Sequence, residues 1–144
     1  MKQRQKRLLV ISVVVVALGL CLLLAGKALL RHAFALSMIE DDLGLRFPYG
    51  AKCIRFHYKP PIDPAVCAKI EIPPDAEELM TTRLAAFTNN TEFTINIGRE
   101  HSWWQPDRSN AVISKAVSVG NWYVLAYLIR EHGKTVLYLC YLTV

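Results

Sequence analysis

The 144-residue chain lacks the short signatures that announce chemistry. It has no glycine-rich phosphate loop, no nucleophile elbow, and no Cys-x-x-Cys or His-Glu-x-x-His zinc pattern. Its four histidines show no metal-ligand spacing. His57, near Cys67 and Glu71 on the outward side of an expected hairpin, supplies too few ligands for a metal site, so no metal and no cofactor are expected. There is no internal repeat and no low-complexity run, and the length excludes a two-domain enzyme. A broadly basic surface is missing too, although the formal charge is +5. Lys2, Arg4, Lys6 and Arg7 carry four of those charges, and from Lys27 onward 13 basic residues face 12 acidic ones. A nucleic-acid partner is therefore not expected.

Charge is absent altogether from Leu8 to Gly26, and this absence is the most informative one. Nineteen mostly Leu, Val, Ile and Ala residues make a helix of about 28 Å, close to the thickness of a bilayer's hydrocarbon core. The cationic residues 1–7 predict a cytoplasmic N-terminus, with the rest of the chain in the periplasm or outside the cell. Cleavage is not expected, because the best small-x-small site, Ala33-Phe34-Ala35, lies beyond Lys27, Arg31 and His32. Leu20 before Cys21 also argues against lipidation. The reading is thus an uncleaved single-pass anchor at 8–26 in the cell's inner membrane, with the bilayer as its first partner.

Residues 27–44 read as a helical stalk stopped by Gly44, with Leu29, Phe34, Leu36, Met38, Ile39 and Leu43 on one side and Glu40, Asp41 and Asp42 in solvent. Residues 45–144 then form one extracytoplasmic domain of the α+β class, a small antiparallel meander sheet packed by one helix. Period-two alternation marks strands at Cys53–Tyr58 and Val66–Ile72, joined as a hairpin across a proline-rich loop. Asp75 as N-cap and Glu78 three residues later open a helix to about Phe87, with Ala76, Leu79, Met80, Leu84 and Phe87 on one face. A short strand at Phe93–Ile97 follows, then three strands near Ala111–Val119, Trp122–Arg130 and Lys134–Thr143. Gly120-Asn121 and His132-Gly133 mark the hairpins between them. These last strands are apolar on both faces, so the stalk, the tryptophan loop or another chain must cover the second face.

If Ile54 pairs with Val66, Cys53 stands opposite Cys67 and the two can form a disulfide. Cys140 reads as a buried apolar residue.

The densest cluster of functional side chains is Arg99–Arg108. Trp103 and Trp104, with Arg99, His101 and Asp107, can form a binding surface for a sugar ring or a protein partner. The same indoles can instead plug the open core. As an enzyme, a small hydrolase, His101 with Asp107 would transfer protons. The order of an anchor, Phe47-Pro48-x-x-Ala51 before a strand, Ile72-Pro73-Pro74 before a short acidic helix, and Trp103-Trp104-x-Pro106 before a C-terminal meander resembles small bacterial envelope proteins and lipoproteins. The resemblance implies an envelope location and a non-catalytic role, and it carries over no site residue. The expectation is a displayed domain that binds a protein partner, another copy of itself or an envelope component, with an accessory or immunity-type role.

Overall fold

A computed structural model describes residues 2–59, 64–88 and 101–143. The strand expected at Phe93–Ile97 lies outside them. The chain divides into two compact units, Met1–Phe34 and Ala35–Val144. In the first, helix α1 (Lys2–Leu43) begins and carries the uncharged run. Residues 12–25 are exposed at every position, all round the helix. Among the described residues this is the one helix long and apolar enough to cross a membrane, and it is compatible with a single-pass anchor.

In the second unit the last turns of α1 become part of a core. Ala35, Ile39 and Leu43 recur every four residues, fall on one helical face and are buried. Phe34, expected on that apolar side, is exposed. Gly44 ends the helix at φ +66°, a left-handed conformation that glycine adopts without a Cβ penalty. Two of the three acids expected in solvent turn inward. Glu40 Oε1 accepts the Phe47 N–H at 2.7 Å, and Asp42 Oδ2 accepts the Tyr141 hydroxyl at 2.7 Å. Each satisfies a polar group that burial of the stalk would otherwise strand.

Among the described residues five antiparallel strands follow: β1 (Lys52–Lys59), β2 (Ala65–Ile72), β3 (Ala111–Val119), β4 (Trp122–Glu131) and β5 (Lys134–Thr143). Their spatial order is β1-β2-β5-β4-β3, so the sheet is not the simple meander expected. Strands β3, β4 and β5 do form one, and hairpin β1–β2 is added beside β5. The β4–β5 turn is the two-residue kind read from the sequence, with His132 at φ 50° and Gly133 at φ 75°.

The first face of the sheet carries Val66, Ala68, Ile70, Val124, Ala126, Leu128, Leu137 and Leu139. It is covered by two helical segments rather than one, the end of α1 and helix α2 (Glu77–Ala85), which brings Ala76, Met80 and Leu84 into the same core. Leu79, expected on that face, is exposed. The Asp75 capping box does not form. A 3-10 turn at Pro74–Ala76 precedes α2 and leaves Ala76 as its N-cap, with no side-chain cap bond. Pro73 and Pro74 start the turn too early for Asp75 to stand at the helix boundary.

Glu77 is drawn to the sheet instead. Its carboxylate accepts hydrogen bonds from Arg130 Nε at 3.1 and 3.0 Å and from the buried Thr135 hydroxyl. The Arg130 guanidinium, then Thr135, holds the Glu77 carboxyl below its ordinary value of 4.5. A carboxyl that titrates lower when folded contributes fully above its unfolded value and loses that contribution as pH falls through the folded one. Glu77→Gln should lower stability only slightly at neutral pH, because the Arg130 end of the pair is exposed to solvent. It should also flatten the loss of stability below pH 4.5, as read from urea midpoints across an acid series. An acid limb as steep in the variant as in the parent would remove Glu77 from the account.

Candidate functional site

The second face of the sheet holds Cys67, Leu125, Tyr127, Ile129, Val136, Tyr138 and Cys140. No helix covers it. The cover is the tryptophan loop, because Trp104 is only 6% exposed and meets the Tyr138 ring edge-on at 5.5 Å. Arg108 lays its guanidinium over Tyr127 at 5.1 Å, a cation–π contact on the same face. Trp104 therefore serves as core cover. Trp103 does not follow it inward. It is half-buried, edge-on to Trp104 at 5.9 Å and stacked on His101 at 5.3 Å. The His101 ring in turn lies 4.3 Å from that of His57 on β1.

Trp103 forms one wall of an open groove of about 550 Å³, with Ile54 and Arg55 of β1 and Ser102 and Gln105 of the loop around its rim. The floor is polar and tightly paired. Lys69 Nζ meets Glu131 Oε1 at 2.5 Å, the Tyr138 hydroxyl donates to Glu131 Oε2 at 2.8 Å, and Lys69 lies 4.7 Å over the Tyr138 ring. Lys134 pairs with Glu71 at 2.8 Å. Burial alone would lower the Lys69 pKa, but its hydrogen bonds to Glu131 and Tyr138 outweigh this and raise it. Burial likewise pushes Glu131 up, and the hydrogen bonds from Lys69 and Tyr138 bring it below its ordinary value. Burial raises the Tyr138 phenol. The floor is thus a fixed ammonium–carboxylate pair with a neutral phenol donating into it.

Of the five residues singled out from the sequence, the four that are described are not brought together at one point. Trp103 and His101 lie together, while Trp104 is turned to the core. Asp107 is spent on its own turn, Oδ1 accepting from the Ser109 N–H at 3.1 Å and hydroxyl at 2.6 Å, and Oδ2 from Asn110 at 2.8 Å. These bonds, the Ser109 hydroxyl first, hold its carboxyl below the ordinary range. Both oxygens being engaged, the geometry gives no support to a His101–Asp107 proton relay. Arg99 lies outside the described residues. What sequence reasoning missed is the groove floor. Glu131, Lys134 and Tyr138 are gathered by the β4–β5 hairpin, and Lys69 and Glu71 meet them because β2 and β5 are neighbours.

The expected Cys53–Cys67 bridge is also corrected. Cys67 is bonded to Cys140, directly opposite it across β2 and β5, and Cys53 is a buried free thiol. The β1–β2 register sets Tyr58, not Ile54, against Val66, and an irregularity between Cys53 and Arg55 shifts the alternation. That shift points Cys53 into the first face, beside Ile70, and exposes Ile54. Burial raises the Cys53 thiol to about 11, which keeps it protonated and unreactive.

Comparison of the chain with known protein families, curated proteins and solved structures finds no match.

Proposed function

We propose that this chain is a single-pass envelope protein that holds a non-catalytic α+β domain at the outer side of the inner membrane and binds a ligand there in the Trp103 groove. Residues 8–26 cross the bilayer, and the cationic tail stays in the cytoplasm. The Cys67–Cys140 bridge supports this orientation, since disulfides persist in oxidising compartments. The observation that carries the binding role is the half-buried Trp103 walling a polar groove, while its neighbour Trp104 suffices to cover the sheet. An aromatic left at the edge of a recess is the usual anchor for a ligand.

Two measurements test this reading. A phosphatase fused after Val144, active only when exported, should be active in living cells, and an inactive fusion would reverse the topology. A photo-crosslinking residue at position 103 of the full chain in intact envelopes should give a discrete adduct that the same residue at the exposed Tyr49 does not. The same adducts from both positions, or none from 103, would overturn the groove as a site.

A further inference from the structure

The groove's charges do not cancel. Lys69 is matched by Glu131 and Lys134 by Glu71, which leaves Arg55 over. Among the described residues no hydrogen bond or ion pair engages the Arg55 guanidinium, and it is exposed at the groove rim on β1. Among the described Lys, Arg, Asp and Glu side chains that line the groove, one positive charge is therefore in surplus, presented by a planar fork that matches a carboxylate. A dianionic phosphate fits less well, because Glu71 and Glu131 line the same recess.

The remaining lining points to a ring with hydroxyl groups. Trp103 offers an indole wall, against which the apolar face of a sugar ring packs. Donors and acceptors alternate beneath it in the Lys69–Glu131–Tyr138 and Lys134–Glu71 contacts. A hydroxyl both donates and accepts, so it can bridge an ammonium and a carboxylate that already stand together. An extended peptide would instead need unpaired backbone. β2 and β5, which supply much of the floor, are interior strands with both edges engaged.

We propose that the groove recognises an acidic sugar, a carboxylate-bearing glycan of the uronic acid type, with its ring on Trp103 and its carboxylate on Arg55. The proposal rests on the groove being the binding site and adds the class of ligand. The binding involves no covalent step.

The test is calorimetric titration of the full chain, in a detergent without a sugar headgroup, with trigalacturonate and with the neutral trisaccharide maltotriose. Trigalacturonate should bind at least about tenfold more tightly than maltotriose. Arg55→Gln should weaken trigalacturonate by about tenfold or more, the worth of a charge-assisted bond, and leave maltotriose unchanged. Arg55 takes part in no core contact, so the variant should melt with the parent, and a lowered melting point would contradict its place at the rim. No heat from trigalacturonate, equal affinity for both sugars, or an unchanged affinity in Arg55→Gln would overturn the acidic-sugar assignment. A position-specific crosslink from 103 alongside any of these results would leave the groove standing with a different ligand. Loss of that crosslink as well would remove both.

Discussion

Trp104→Ala should lower the unfolding free energy by about 3–5 kcal/mol, whereas Trp103→Ala, one residue away, should cost less than about 1.5 kcal/mol. The two indoles share a loop and a chemistry, so the difference must come from what each covers. Trp104 lies edge-on against Tyr138 and closes an apolar sheet face that no helix among the described residues reaches. Truncating it exposes Tyr138 to water or leaves a cavity over it, and the extended strands beneath cannot close inward to fill the gap. Trp103 keeps one side in the groove, so its removal forfeits chiefly its contacts with His101 and Trp104. Urea unfolding of the full chain, followed by near-ultraviolet circular dichroism, measures both. Equal losses would mean that Trp103 is core as well. The groove would then be a packing defect rather than a recess with a purpose.

This division between neighbours shows where local pattern stops informing. The class of the domain was legible because alternation in Val66–Ile72 and the two-residue hairpin signals between the last three strands are properties of adjacent residues. The end of α1 was legible only in part, since Ile39 and Leu43 lie on the apolar side read from the sequence, whereas the buried Ala35 was not on it and Phe34, which was, is exposed. The neighbour of β2 was not legible. Nothing in Val66–Ile72 says that β5 lies beside it, and that one pairing decides the strand order, the groove floor and the disulfide. The irregularity at Ile54 was hidden as well, because an extra residue in an edge strand reverses the phase of everything before it. Capping logic failed at Asp75 because Pro73-Pro74 offered a competing 3-10 start. Trp103 and Trp104 could be named from sequence, yet their opposite roles depend on which one reaches Tyr138.

The second large effect follows from that same β2–β5 pairing. Cys67→Ala or Cys140→Ala should each lower stability by about 4 kcal/mol, and the double variant should cost little more than either single one. Cys67 and Cys140 are 73 residues apart, so the bridge closes a long loop in the unfolded chain, and the entropy it removes grows with loop length. It also fastens the one strand junction that joins hairpin β1–β2 to the β3–β5 meander. Non-local pairing of this kind has the largest closure entropy to overcome, so a covalent link there stabilises more than one across a hairpin. The singles and the double coincide because each removes the same bond, and non-additivity of that size identifies two residues acting as a unit. Reductant discriminates further. It should lower the melting temperature of the parent and of Cys53→Ala, but leave Cys67→Ala and Cys140→Ala where they are. If Cys53→Ala were the insensitive variant and Cys140→Ala the sensitive one, the bridge would join Cys53 to Cys67 within the hairpin. The β2–β5 junction would then have to hold by its hydrogen bonds and apolar contacts alone.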